Sequence, residues 1–261
     1  MRAHPIRFPR RLTVATPAYD GRTVLAFARS MQRLQRVCTR RGIRLQWLTT
    51  SGTVVDVARE VLAAGFLRSR DDVLVFVDAD VAFDVRTVLE LRQLAERLDV
   101  VGAATPTKRI AWRTVWRAAR SIPEQHAAEV LPAVCSTGRD LQPVDASAPL
   151  DIRKPIEVAW CGTSILAVHR RVFGRIAEAF PDLRYTQADA TGTPTTAYFA
   201  PFVADGERFY EDGAFCARWR KLGGKCWAVL WPNVSHVGAF TFNDDAGLRA
   251  ALRLPLSSPL G

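Results

Sequence analysis

VLVFVDADVAF, residues 73–83, is the stretch on which the reading of this 261-residue chain turns. Val73 through Val77 are five consecutive apolar residues, too few for a helix, rich in β-branching and without polar alternation. That is the pattern of a strand buried on both faces of a parallel sheet. Side chains two apart on an extended chain point the same way, so Asp78 and Asp80 are set to project together into the crevice beyond the strand's carboxyl end, where open α/β sheets bind ligands. Two carboxylates held that close repel one another unless a cation lies between them. Hard divalent ions such as Mg²⁺ or Mn²⁺ take oxygen ligands and commonly bridge to phosphate. The competing reading of Asp-Ala-Asp is a turn or a helix cap that binds nothing.

Upstream, residues 11–16 (RLTVAT) read as a first strand, followed by the loop TPAYDG with its turn-forming Pro17 and Asp20-Gly21. Val24, Phe27, Met31, Leu34 and Cys38 recur at intervals of three and four and mark one face of a helix that Gly42 is placed to stop. Residues 43–48 alternate apolar and polar as a second strand. Thr49, Thr50 and Ser51 read as caps for a helix carrying Val54, Val57, Ala58, Val61, Leu62 and Phe66 on one side. Asp56 and Arg59 on that helix form either a surface ion pair or a reach toward the carboxyl edge of the sheet. Downstream of the acidic strand come a helix over 85–97 and a short strand over 99–103. Strands alternating with helices of this length predict βαβ units, and therefore a mainly parallel central sheet flanked by helices.

Beyond residue 104 the pattern loosens. In KRIAWRTVWRAAR, residues 108–120, Arg109, Arg113 and Arg117 follow at intervals of four, with Trp112 and Trp116 beside them. If helical, they form a cationic stripe suited to phosphates, or else the solvated face of an ordinary helix. Residues 156–169 return to strand character interrupted at Gly162, which suggests a bulge or a close approach to ligand. A helix over 171–180 and a long irregular segment over 181–205 follow. Glu211 and Asp212 stand where a helix starts, a favourable place for carboxylates. A strand over 226–231 leads to His236, and the tail over 243–261 ends in LPLSSPLG.

Composition bounds these readings. The length suits one large α/β domain or two small ones, and 48% hydrophobic with 24% charged residues is ordinary for a globular chain. No window is long and apolar enough for a membrane span, and the N-terminal residues lack the apolar core of a signal peptide, so the expectation is a cytoplasmic protein. Five cysteines without C-x-x-C spacing read as reduced, buried thiols. The net charge is +10, and much of the excess lies in the first twelve residues and in residues 108–120. It is either a solvated surface or an attraction to an anionic partner.

Taken in order, TPAYDG, VFVDADVAF, GAATPTKRIAW, AWCGTSILAVHRRVF, YEDGAFCARWRKLGGKCW and SHVG resemble the GT-A glycosyltransferases, and among them the family 2-like enzymes with an Asp-x-Asp motif. The resemblance spans roughly residues 12–240. It implies a single Rossmann-like GT-A domain over 11–242, with a nucleotide-sugar half over about 11–104 and an acceptor half over about 105–242. Residues 1–10 are then a basic N-terminal arm and residues 243–261 a C-terminal tail. Carried onto this sequence, Thr16, Pro17, Ala18, Tyr19 and Asp20 would line the nucleotide base. Asp78 would meet the ribose and Lys108 the diphosphate, with Ala79 and Arg59 among the nucleotide-sugar-binding residues. Asp80 and His236 would hold Mn²⁺ or Mg²⁺, and Trp160, Gly162 and Thr163 would face the acceptor. Asp212, with Glu211, would take the proton from the acceptor hydroxyl. The implied activity is transfer of one sugar from a nucleotide-sugar donor, of UDP type, to a hydroxyl acceptor. No Gln-x-x-Arg-Trp segment follows Glu211-Asp212, so processive polysaccharide synthesis finds no support. The acceptor is a saccharide, a lipid-linked hydroxyl or, given the basic stripe, DNA bearing hydroxymethylated bases. A noncatalytic nucleic-acid-binding protein and a nucleotidyltransferase are the competing classes.

Overall fold

The computed structural model describes residues 6–134, 136, 141–145, 147, 151–186, 192 and 194–239. The expected tail over 243–261, residues 1–5 of the N-terminal arm and Cys135 lie outside them. The strands are β1 (Arg11–Pro17), β2 (Arg44–Thr50), β3 (Val73–Val77), β4 (Val81–Phe83), β5 (Val100–Ala103), β6 (Leu141–Pro143), β7 (Ile156–Cys161), β8 (Ile165–His169), β9 (Arg184–Thr186), β10 (Pro194–Thr196), β11 (Phe202–Ala204), β12 (Glu207–Phe209), β13 (Cys226–Val229) and β14 (Val234–His236). The helices are α1 (Leu25–Arg41), α2 (Val55–Leu67), α3 (Val85–Leu98), α4 (Trp112–Ala119), α5 (Ala127–Val134), α6 (Arg170–Ala179) and α7 (Glu211–Lys221).

Eight strands form one sheet in the order β2-β1-β3-β8-β5-β13-β7-β6. From the pairings, β2, β1, β3, β5, β13 and β6 run one way, while β8 and β7 run against them. The chain is thus mixed α/β, with a mainly parallel central sheet covered by helices on both faces. β3 shows why its sequence is apolar throughout. Val73, Val75 and Val77 enter the core shared with α1 and α3, whereas Leu74 and Phe76 enter the core shared with α2, α6 and α7. All five side chains are fully buried, as side-chain alternation requires when both faces are covered.

Periodicity located α1, β2 and α2. α1 buries Phe27, Met31, Leu34 and Cys38, and Gly42 closes it at φ 66° with its N–H on the carbonyls of Cys38 and Thr39. Its left-handed backbone favours glycine there. Cys38, Cys161, Cys216 and Cys226 are buried thiols, and Cys216 is hydrogen-bonded to both Cys161 and Cys226. Residues 6–8 lie against the domain, with Ile6 packed on the core and the Arg41 guanidinium over the Phe8 ring.

Four expectations need correcting. Thr49 and Thr50 do not cap α2, because the parallel ladder with β1 runs through Pro17 and Thr50 and keeps them extended. Val54 takes the N-cap position, without a side-chain bond. Residues 156–169 are two strands rather than one interrupted strand. β7 and β8 lie on opposite flanks of the β5–β13 pair, so the chain crosses near Gly102, where an added Cβ would stand 2.8 Å from Cys161 Sγ. Residues 181–205 are not wholly irregular: β9 pairs with β10, and β11 pairs with β12. Finally, α4 begins at Trp112, so Arg113 and Arg117 are helical and Arg109 is not. Lys108 is drawn to Asp80 and Ile110 bridges to Ser136, which holds the segment before α4 extended.

Candidate functional site

The carboxyl end of β3 opens into a cavity of about 550 Å³, within the range of small-molecule sites. Its wall includes Pro17, Ala18, Tyr19 and Asp20 from the loop after β1, Asp78, Ala79 and Asp80 after β3, Lys108 after β5, and His236 at the end of β14. Nine of the residues singled out from the sequence therefore meet in one place.

Three segments clamp the main chain of Asp-Ala-Asp. Asp78 N donates to Ser164 O at 2.9 Å. Ala79 O accepts from Thr23 Oγ1 at 2.6 Å and Val24 N at 3.2 Å. Val237 N donates to Asp80 O at 2.9 Å. A backbone held from three sides keeps its side chains aimed before any ligand arrives, which lowers the cost of binding.

The two carboxylates then part company. Asp78 Oδ1 accepts from Arg59 Nη2 at 2.8 Å, and that guanidinium is almost entirely buried in α2. Arg59 thus reaches the sheet edge rather than pairing with Asp56 on the surface. Its Nε and Nη1 are buried without a hydrogen-bond partner, an uncommon and costly condition. Asp80 Oδ2 lies 2.6 Å from Lys108 Nζ, and Asp80 Oδ1 lies 3.3 Å from His236 Nε2. Gly238 permits the Lys108 placement, since an added Cβ there would stand 2.9 Å from Lys108 Cδ.

His236 reaches Asp80 because β14 pairs antiparallel with β4, setting His236 opposite Val81. Its Nδ1 lies 3.0 Å from Pro106 O. A backbone carbonyl can only accept, so Nδ1 carries a proton and Nε2 is the nitrogen turned to Asp80. Burial alone pushes the Asp80 carboxyl up, but the bonds from His236 and Lys108 outweigh it and hold the group down at about 2. Burial pushes the His236 imidazole down, while its bonds to Asp80 and Pro106 O more than offset this, so its pKa is raised.

These residues fit a divalent ion in a limited way. Asp80 Oδ1 and His236 Nε2 are close enough to share one cation, and the carbonyl bond at Nδ1 is the usual support for a ligating imidazole. Among the described residues no group of three or more His, Cys, Asp or Glu is arranged to hold a metal. An ion here would draw its other ligands from substrate oxygens and water, as Mg²⁺ and Mn²⁺ do beside phosphates.

Other expected site residues lie off this wall. Thr16 is buried and its Oγ1 accepts from Trp47 Nε1 at 3.0 Å, so it braces the edge strand. Gly162 and Thr163 are buried just before Ser164, which contacts Asp78, and Trp160 Nε1 donates to Gln142 Oε1 at 2.8 Å. Glu211 and Asp212 open α7, with Asp212 Oδ1 accepting from Gly213 N at 2.7 Å. α7 leads by a short turn into β13, which runs parallel to β5, so both carboxylates begin at the same edge of the sheet as Asp78 but farther along it. Arg22, Thr23, Thr53 and Val55 line the cavity without having been singled out from the sequence, and Val24 and Ala58, read there only as apolar helix positions, line it too. Only the closeness of Arg22 and Thr23 to the TPAYDG loop could have flagged any of them.

No family model matches the chain, and no curated protein matches it. Among solved structures it is similar to the A197 protein from STIV, at 18% identity and a TM-score of 0.48, covering 88% of this chain and 86% of that one. It is also similar to a mutant Drosophila β-1,4-galactosyltransferase 7 in complex with manganese, UDP-Gal and xylobiose, at 12% identity and a TM-score of 0.41, covering 97% of this chain and 77% of that one. No helix among the described residues is long and apolar enough to cross a membrane.

Proposed function

We propose that this chain is a metal-dependent glycosyltransferase of the GT-A class, moving one sugar from a nucleotide-sugar donor, of UDP type, to a hydroxyl acceptor. One observation carries the reading: Asp80 and His236, separated by most of the sequence, stand 3.3 Å apart beside Lys108 and Asp78 in one cavity. A structural role alone gives no reason to gather two carboxylates, an imidazole and an ammonium at a sheet's ligand-binding edge.

In this reading Tyr19 and its neighbours Pro17, Ala18 and Asp20 flank the base, and Asp78, fixed by Arg59, receives the ribose hydroxyls. Asp80 and His236 hold Mn²⁺ or Mg²⁺, which when bound neutralises charge on the diphosphate. Lys108 adds a second positive charge there. On the acceptor side Asp212, with Glu211 beside it, takes the proton from the attacking hydroxyl. The acceptor oxygen forms a bond to the sugar C1 as the bond from C1 to the diphosphate oxygen breaks, and the nucleoside diphosphate leaves.

The test is titration of UDP into the protein with and without Mn²⁺, followed by donor turnover across a panel of nucleotide sugars. Asp80→Ala is expected to abolish the Mn²⁺ dependence of UDP binding and to reduce turnover at least a hundredfold, on the order of removing a metal ligand. Wild-type values in that variant for both quantities would refute the site.

A further inference from the structure

We infer that the exposed face of α4 is a docking surface for an unpaired polynucleotide strand, beside the mouth of the cavity. The inference does not depend on sugar transfer. α4 has no buried residue among its eight, and Trp112 and Trp116 are 62% and 61% exposed. Large exposed indoles paired on one short helix are uncommon on a surface that meets only water. Arg109, Arg113, Arg117 and Arg120 are exposed as well, and among the described residues none of them forms an ion pair. No acidic residue occurs anywhere between Asp99 and Glu124.

The arrangement of these side chains selects the partner. At about 100° per residue, Trp112 and Trp116 fall on one arc and Arg120, Arg113 and Arg117 continue it directly, while Val115 and Ala118 turn the other way. The Arg120 guanidinium already lies over the Trp116 ring, 4.6 Å from its centroid. A helix lying in a membrane surface carries its aromatic residues on one face and its cations on the opposite one. Here they share a face. Flat rings interleaved with cations suit a strand whose bases stack on indole and whose phosphates meet guanidinium. Arg113 and Arg117, four apart, stand about 5–6 Å from each other at Cβ, so they can meet neighbouring phosphates.

Position gives the surface its use. Lys108 lines the cavity and α4 begins four residues later. The base of the excursion is fastened by Ser136, whose Oγ donates to Thr107 O at 3.0 Å and whose backbone bridges Ile110. The surface therefore begins close along the chain to Lys108 on the cavity wall.

Binding of a fluorescent 20-nucleotide unpaired DNA, read by anisotropy across a salt series without donor or metal, tests this. Wild-type protein is expected to bind with strong salt dependence. Arg113→Gln/Arg117→Gln should weaken binding at least tenfold and lower the salt slope by about 1.4, since each of the two phosphate contacts contributes about 0.7 for a single strand. Trp112→Ala/Trp116→Ala should weaken it at least about fivefold per ring, whereas Trp112→Phe/Trp116→Phe should keep most of the affinity. Because the four side chains changed are all exposed, circular dichroism is expected to be unaltered. Unchanged affinity in both the double Arg and double Ala variants would overturn the inference, as would binding to phosphatidylserine vesicles with none to the oligonucleotide. Failure of sugar transfer would appear only in the donor assay.

Discussion

Glu60 offers a sharp test of the packing beneath the site. It lies in α2 next to Arg59, 2% exposed, with Oε2 accepting from the Tyr185 hydroxyl at 2.6 Å and Oε1 from Phe199 N at 3.2 Å. Burial pushes its carboxyl up from 4.5 to about 7, outweighing the two hydrogen bonds; Asp56 adds to the rise and Arg218 opposes it. Between those values the folded protein binds more protons at this site than the unfolded chain does. Stability therefore falls as pH rises through that window, with the penalty absent below 4.5 and complete above about 7. At about 1.4 kcal/mol per pH unit, the gap comes to roughly 3 kcal/mol. Glu60→Gln keeps the shape and both contacts while removing the titration. Urea unfolding of the two proteins should give near-equal stability at pH 4 and an advantage to the variant of up to roughly 3 kcal/mol at pH 8. Groups common to both proteins cancel in the difference. A difference that stays flat with pH, or favours the wild type as pH rises, would refute the argument that burial dominates at this carboxyl.

Two further outcomes follow from the geometry. Arg59→Met removes the cation 2.8 Å from Asp78 and should destabilise the fold by about 2–4 kcal/mol in urea unfolding, because a carboxylate is left without its partner; a change below about 1 kcal/mol would show that Asp78 is adequately solvated without it. Gly102→Ala sets a methyl 2.8 Å from Cys161 Sγ and should cost about 1–3 kcal/mol, with part of that loss recovered in the double variant carrying Cys161→Ala; strictly additive effects would mean that the sulfur is not the obstacle.

The apolar run over 73–77 specified a strand covered on both faces because it has no polar alternation, and alternation is the signature of a half-exposed strand. Helical spacing located α1 and α2, and Gly42 marked the end of α1 because its left-handed backbone favours glycine. The turn chemistry of TPAYDG and the carboxylates ending β3 pointed to the cavity rim. Boundaries set by pairing escaped this kind of reading. Thr50 is extended because β1 lies beside it, and β7 and β8 separate because two other strands come between them.

By itself the sequence determined that Asp78 and Asp80 end a central strand, since local periodicity and strand geometry act over a few residues. Apart from the Asp80–His236 pairing that the resemblance implied, which partner each received was decided only by the tertiary structure. Arg59 comes from the helix after β2, Lys108 from the segment after β5, and His236 from the β4–β14 pairing. Those contacts span 19, 28 and more than 150 residues. They depend on strand order and register, which burial on both faces of the sheet imposes and no local pattern encodes.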